Sequence, residues 1–139
     1  MYNNNSLAIL FEMARLQTMA AREIDGRLGG GLGFNDIMIL SYLSQAEHQR
    51  LRRIDLAQKI GLTPSSITRL LAPMEKLGLV KREAYEYDAR VSFVSLAPGG
   101  KQLLAERLEA AEDLASELLQ ADGAKKLGKA LLVLSTNSL

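Results

Sequence analysis

The chain has 139 residues, of which 47% are hydrophobic and 24% charged, and its formal net charge at pH 7 is +1. This length suits one domain or a compact two-lobed protomer, and the apolar fraction is sufficient for a hydrophobic core. With no cysteine, a single histidine (His48) and no metal-ligand cluster or phosphate-binding glycine loop, the sequence predicts neither an enzyme nor a cofactor or metal site. A loss of turnover on mutating His48 would revive the enzyme interpretation.

The charge is distributed unevenly along the chain. Residues 48–102 contain 10 basic and 5 acidic side chains, a net charge of +5, whereas residues 1–47 and 103–139 each have a net charge of −2. A positive middle segment is typical of a protein that binds nucleic-acid phosphates, although an ordinary mixed surface is the alternative.

The sequence predicts a cytoplasmic protein without a membrane partner. No apolar run approaches the roughly 20 residues of a membrane-spanning helix. The first residues, MYNNNSLAILF, include neither a basic leader nor a small-residue cleavage site, so we do not expect export. The absence of cysteine agrees with a reducing compartment.

Two helices are predicted before the positive segment. The first spans Ser6–Leu28 and keeps a seven-residue apolar rhythm, and the glycine-rich run Gly29–Gly33 ends it. The second spans about Phe34–Gln45 and is apolar enough to be buried. Residues Arg50–Arg53 are a candidate short strand. The rhythm of the first helix is formed by Leu7, Leu10, Ala14, Ala21, Ile24 and Leu28.

Residues 53–78 have the pattern of a helix-turn-helix. Gly61 ends the first helix in a left-handed conformation, and Thr63 caps the second helix, which has Pro64 at its first position. Gly78 ends the second helix, and Pro73 is expected to bend it. Such a motif presents the start of its second helix to a DNA major groove. The residues expected to face the core are Ile54, Leu56, Ala57, Ile60, Ile67, Leu70, Leu71, Met74 and Leu77.

A β-hairpin is predicted directly after the second helix. Residues 79–83 and 91–96 are short runs rich in β-branched and aromatic residues, and the polar sequence AYEYDAR separates them. A hairpin in this position is a wing. Arg90, near its tip, is therefore placed to enter a neighbouring minor groove.

The middle third of the chain resembles the MarR family of winged-helix transcriptional regulators. The residues that carry the resemblance are LAQKIGLTPSSITRLLAPMEKLGLVKR, the wing sequence Asp88-Ala89-Arg90 and VSFVSLAPGGK. The resemblance implies that Arg90 contacts the minor groove or phosphates and that Asp88 helps to hold it. It also implies that small, often aromatic or acidic compounds bind between the dimerisation and DNA-binding lobes.

The chain departs from the family pattern at two helix starts. The usual Leu-Thr before the helix that follows the wing is Leu96-Ala97 here, and the Leu-Thr before the second helix is Leu32-Gly33. Both changes remove a threonine cap and so weaken the start of a helix.

Two further helices are predicted after the wing. The first starts at Pro98 and runs to about Gln120, Asp122-Gly123 breaks it, and the second spans Ala124–Leu134. With the first helix of the chain, they have more apolar surface than a small winged domain needs for its own core. We therefore expect these helices to form a dimerisation lobe, with a monomeric helical cap as the alternative.

The expected fold is mainly α with a small antiparallel β-hairpin, a winged helix-turn-helix domain joined to a helical dimerisation lobe. The predicted units are a dimerisation helix at 1–33, the DNA-binding domain at 34–97 and C-terminal dimerisation helices at 98–139. A two-fold homodimer would match a palindromic operator, with recognition helices about one DNA turn, roughly 34 Å, apart.

The candidate DNA-contacting residues lie at the exposed start of the recognition helix or on the wing. Ser65 and Ser66 contact phosphates or bases, or only form the first helical turn. Arg69 either reaches DNA or is a solvated charge on the helix surface. For Thr68, contact with DNA and a purely structural role are equally favoured. His48 is expected to be an ordinary surface residue. The full set is Thr63, Ser65, Ser66, Thr68, Arg69, Lys81, Arg82, Asp88 and Arg90.

The sequence thus predicts a regulator, in particular a repressor, that binds double-stranded DNA as a homodimer, and the family resemblance implies that a small-molecule effector can release it. The alternative is a winged-helix module that binds proteins and not DNA. That module would not bind duplex DNA and would tolerate Arg90→Ala.

Overall fold

The computed structural model describes residues 5–137 and shows six α-helices and a three-stranded antiparallel sheet in this part of the chain. The predicted mainly α fold with a winged helix-turn-helix is confirmed. Within the same residues, none of the helices combines the length and apolar character needed to cross a membrane. In chain order the elements are α1 (Ser6–Arg27), α2 (Phe34–Gln45), a 3-10 turn (Glu47–Gln49), β1 (Arg50–Arg52), α3 (Arg53–Ile60), α4 (Pro64–Lys76), β2 (Val80–Tyr85), β3 (Asp88–Leu96), α5 (Pro98–Leu119) and α6 (Ala121–Asn137).

The helix-turn-helix boundaries follow from local chemistry, as predicted. Gly61 ends α3 with φ 83°, and its N–H donates to the carbonyl of Ala57. Thr63 caps α4, because its side chain accepts the backbone N–H of Ser66 at 3.2 Å. Gly78, with φ 74°, turns the chain from α4 into the sheet. These caps fix the angle at which α4 leaves α3.

The sheet has the order β1-β3-β2, with Arg50 opposite Ser95 and Val80 opposite Leu96. The predicted short strand before α3 is therefore present and pairs with the wing. The wing strands are longer than predicted: most of AYEYDAR is strand, and only residues 86–87 connect β2 to β3. The register shift after Ala84 lets the backbone pairing continue to the tip, which a pattern of side chains alone does not show.

Helix α2 is the centre of the core, because it packs against α1, α3, α4, α5 and the sheet. Its residues Ile39, Leu40 and Leu43 are fully buried. Two residues predicted to face the core are instead exposed, Ile54 by 54% and Leu77 by 71%. Ile54 lies in the first turn of α3, beside the wing, and Leu77 is the residue at which α4 ends, so neither has a neighbouring layer to cover it.

The start of α2 is stabilised without the threonine typical of the family. The backbone N–H of Phe34 donates to the Asp25 carboxylate at 2.7 Å, and that of Gly33 donates to the Asp36 carboxylate at 2.8 Å. The helix begins at Phe34, as predicted. A carboxylate from α1 thus replaces the missing cap and ties α1 to α2.

Helix α5 begins against the backbone that connects α4 to β2. The backbone N–H of Ala97 donates to the carbonyl of Leu79 at 3.0 Å, and a Cβ at Gly100 would overlap that same carbonyl oxygen. A Cβ at Gly99 would lie 2.8 Å from the carbonyl oxygen of Gly78. The two glycines therefore let the long helix cross the end of the recognition helix at backbone contact.

The long terminal helices differ from the prediction in two respects. Helix α6 begins at Ala121, because Gln120 alone, with φ 54°, makes the break, and Asp122-Gly123 lie in its first turn. In α1, Leu7 and Leu10 are 59% and 58% exposed, whereas only the later positions of the seven-residue rhythm reach the core. The predicted lobes also include residues 1–4 and 138–139, which lie outside the described residues.

Candidate nucleic-acid interface

The start of α4 presents three hydroxyl groups to the outside. The Thr63 hydroxyl donates to the Ser66 hydroxyl at 2.9 Å and lies 3.2 Å from the Ser65 hydroxyl. Ser65 is exposed and Ser66 is half-buried. The structure brings these three predicted contact residues together at the end of the recognition helix that the motif presents to DNA.

The second turn of α4 contains Thr68 and Arg69, which are in different environments. The Thr68 hydroxyl donates to the carbonyl of Pro64 at 2.9 Å and accepts Nη1 of Arg53 at 3.0 Å. Arg69 is exposed, as a residue that reaches DNA has to be. Thr68 is therefore engaged within the protein, while Arg69 is accessible.

On the wing, Asp88 and Arg90 form the contact that the family resemblance implies. The Asp88 carboxylate accepts the Arg90 backbone N–H at 3.0 Å and the guanidinium Nε and Nη2 at 3.1 and 3.2 Å. The Arg90 side chain first, and then its backbone N–H, lower the pKa of Asp88 below its ordinary value. Because 90% of the Arg90 side chain remains exposed, the guanidinium is oriented but still free to bind an anion.

The two cations at the base of the wing lie on opposite faces of the hairpin, since side chains alternate along a strand. Arg82 lies opposite Val94 on the face towards the helices, and its Nε is 3.3 Å from a buried oxygen of Glu75 on α4. Lys81 lies opposite Ser95 on the outer face and is exposed. Arg82 thus joins the wing to the recognition helix. Lys81, on the opposite face of the hairpin, does not take part in this contact.

Two small clefts, with volumes of about 290 and 280 Å³, lie between the wing and the start of α3, and the first of them also reaches Pro64 at the start of α4. Their linings contain four arginines and, in the described part of the chain, no carboxylate residue. This arrangement is suited to a polyanion with a backbone that passes between helix and wing. The first cleft is lined by Arg52, Arg53, Ile54, Pro64, Arg90, Val91 and Ser92, and the second by Arg53, Arg82, Ala84, Ala89, Arg90, Val91 and Ser92.

Sequence reasoning missed Arg53, which lines both clefts. The sequence predicted it as the end of a short strand, but it is the first residue of α3. A cation at a helix start is unfavourable because the helix dipole is positive there. The unfavourable position of this cation, close to Arg50 and Arg52 in the sequence, was the feature that could have identified Arg53.

The part of the chain that contains the clefts matches a known family. Residues 35–92 match the model of the MarR family, and this stretch includes α2, the helix-turn-helix and most of the wing. This segment is therefore similar to a MarR-family domain. The boundaries of the match exclude α1, α5 and α6, so the similarity in sequence is concentrated in the segment that contains the clefts.

Relatives and solved structures extend the comparison. The chain is 33% identical over 70 residues to the HTH-type transcriptional regulator PapX from Escherichia coli, an alignment that covers 50% of this chain and 43% of PapX. It thus spans less than half the length of that relative. The crystal structure of the transcriptional regulator BldR from Sulfolobus solfataricus matches with a TM-score of 0.83 and 27% identity, covering 95% of both chains.

The fold is also that of a MarR family transcriptional regulator from Streptomyces coelicolor solved in complex with DNA. That structure matches with a TM-score of 0.81 and 22% identity, covering 96% of this chain and 87% of the other. The MarR-like architecture therefore extends beyond the matched segment to α1, α5 and α6.

Proposed function

We propose that this chain is a MarR-family regulator of transcription that binds DNA sequence-specifically, and not an enzyme. The proposal is carried by the pair of arginine-lined clefts between the start of α3 and the wing, the first of which reaches the start of α4. A recognition helix in the major groove and Arg90 in the adjacent minor groove would place the intervening backbone along these clefts. The DNA complex of the Streptomyces coelicolor regulator with the same fold supports this proposal.

The regulator acts as a homodimer on a palindromic operator. Helices α1 and α6 expose more apolar surface than a monomer usually leaves in water, and a second copy of the chain would cover it. A two-fold dimer would space its recognition helices by about one DNA turn, as a palindromic operator requires. We infer that the dimer is a cytoplasmic repressor that occupies this operator. The exposed residues are Leu7, Ile9, Leu10, Phe11, Met13, Leu16 and Met19 of α1, and Leu127, Leu131, Leu132, Val133 and Leu134 of α6.

A small-molecule effector releases the regulator from DNA. A cavity of about 310 Å³ lies where the turn before α2, the end of α4 and the start of α5 meet, and its lining combines apolar residues, among them Leu32, Met74 and Leu103, with Asp36. An aromatic compound bound here would favour one relative position of the DNA-binding and dimerisation helices, a population shift. The cavity is the feature that supports this step.

The test is selection of duplex DNA from a random pool by the purified protein at about 50 and 200 mM salt. We expect enrichment of a palindrome and a steep fall in affinity as salt rises. Arg90→Ala should lower the affinity about tenfold or more, since it removes a charge-assisted contact. Lys59→Ala is the matched control, because it removes one exposed cation at the far end of α3 from the clefts and should leave operator binding near the wild-type level.

Two results would contradict the proposal. A failure of the wild-type protein to bind duplex DNA even at low salt would favour the protein-interaction module. Equal affinities of the wild type and Arg90→Ala for the selected palindrome would show that the wing does not contact DNA. A thermal-shift screen of aromatic compounds, followed by an assay for release of the selected DNA, tests the effector.

A further inference from the structure

Arg53 lies at the junction of the recognition helix and the wing. It is half-buried, it lines both clefts with Arg90, and its Nη1 donates to the Thr68 hydroxyl on α4 at 3.0 Å. One nitrogen is thus anchored on the recognition helix, while the guanidinium borders the open space beside the wing. The side chain connects two elements that are expected to lie in different DNA grooves.

The charge on Arg53 is not balanced by any side chain that the structure describes. None of the described carboxylates lies within ion-pairing distance of it, whereas the other three arginines of the clefts each have one. A cation that is held near other cations, at the positive end of a helix dipole, is unfavourable for the isolated fold. An external anion would balance it. The pairs formed by the other three are Arg52–Asp55 at 3.4 Å, Arg82–Glu75 at 3.3 Å and Arg90–Asp88 at 3.1 Å.

We propose that Arg53 binds a phosphate of the DNA strand that separates the two grooves, and that Thr68 is the positioning residue that aims it there. The proposal rests on the proposed function of DNA binding. A major groove filled by α4 and a minor groove entered by the wing share one sugar-phosphate backbone between them. A residue located between α4 and the wing meets that backbone and not base edges, so its contribution is independent of sequence.

The hydrogen bonds of Thr68 favour positioning over direct contact. Its hydroxyl donates its one proton to the carbonyl of Pro64 at 2.9 Å and accepts from Arg53. The bond to Pro64 fixes the orientation of the hydroxyl, and the hydroxyl in turn fixes the guanidinium of Arg53. Valine at position 68 would keep the branched shape of threonine but would lose the acceptor.

The first experiment measures operator affinity and its salt dependence for Arg53→Ala and Arg53→Gln. We expect both variants to bind about tenfold or more weakly, on selected and on unrelated duplexes alike. The slope of log affinity against log salt should become shallower by about 0.9 for each phosphate that the variant no longer neutralises, or about 1.8 for a dimer. Lys59→Ala, which removes a cation from the other end of the same helix, should change neither quantity.

The second experiment is a double-mutant cycle between positions 53 and 68. Thr68→Val should weaken binding in the wild-type background and have no further effect in the Arg53→Ala background. Thr68→Ser, which retains the hydroxyl, should bind nearly as the wild type does. Equal losses from Thr68→Val in both backgrounds would show that Thr68 contacts DNA by itself and would overturn its positioning role.

Different outcomes test the role of Arg53 and DNA binding by the protein. If the wild-type protein binds the operator and both Arg53 variants keep its affinity and salt slope, the assignment of Arg53 is wrong and DNA binding stands. If the wild type binds no duplex DNA at low salt, both are wrong. The thermal unfolding midpoint of each variant shows whether the half-buried side chain was needed for folding, and Arg53→Gln retains a group that can donate to Thr68.

Discussion

At the scale of single residues, the Asp88 carboxylate on the wing is both the hydrogen-bond acceptor and the counter-ion of Arg90. Both carboxylate oxygens of Asp88 accept hydrogen bonds from the Arg90 guanidinium, and one also accepts the Arg90 backbone N–H, so the guanidinium is oriented within the protein itself. Pre-orientation of this kind lowers the entropy lost when the side chain binds a phosphate or enters a groove. Because the contact involves the Asp88 carboxylate, titration of this carboxyl group reports on it directly.

We expect the Asp88 carboxyl to titrate below its ordinary pKa of 3.8, because Arg90 stabilises the ionised form. A pKa that is lowered by folding adds stability above the ordinary value, and this contribution is lost as the pH falls through the lowered value. The wing contact should therefore be fully formed at neutral pH. Carbon NMR of the Asp88 carboxyl measures the midpoint, which should rise in Arg90→Ala but not in Arg82→Ala. A wild-type midpoint at the ordinary value would contradict the contact.

At the scale of elements, α5 is fixed to the DNA-binding half by a backbone contact at Gly100. Replacing this glycine with alanine places a methyl group against the carbonyl oxygen of Leu79, and the backbone has to shift. We expect a loss of about 1–3 kcal/mol in the free energy of unfolding, and a thermal midpoint that falls by several degrees. Calorimetry at a fixed protein concentration measures both.

Gly26→Ala is the matched control for this substitution. Gly26 lies inside α1, and a Cβ there would have nothing within 4 Å, so alanine should be neutral or should stabilise the helix by up to about 1 kcal/mol. Equal stabilities of Gly100→Ala and the wild type would mean that α5 does not approach Leu79 closely. A loss of stability in both variants would point to a general effect of the added methyl group.

The elements that could be predicted from the sequence are those with ends set by neighbouring residues. Gly61, Thr63 and Pro64 act within one turn of the helices they bound, so their pattern is sufficient. The cap of α2 comes from Asp25, nine residues before its partner, and Arg53 meets Thr68 across 15 residues. Such contacts depend on how helices pack, which a linear pattern of residues does not contain.

At the scale of the whole molecule, α1 and α6 have exposed apolar side chains among the described residues. Leu10 on α1 and Leu131 on α6 are 58% and 39% exposed, and each lies in a run of exposed apolar residues. The core of the DNA-binding half, in contrast, is closed around α2. The sequence predicted apolar faces for these helices, but not which residues of each face pack on the core, because that depends on how the helices are arranged.

We expect the wild-type protein to sediment as a dimer, and Leu10→Glu and Leu131→Glu to shift it towards the monomer. A carboxylate on an apolar surface has to be desolvated when a second copy packs against it, which opposes association. Leu77→Glu is the matched control, since Leu77 is 71% exposed but lies at the end of the recognition helix, and it should remain a dimer. Sedimentation at several protein concentrations, with affinity for the selected palindrome, measures both consequences. Dimers of unchanged stability in both variants would place the interface elsewhere, and a wild-type monomer would contradict the two-fold regulator.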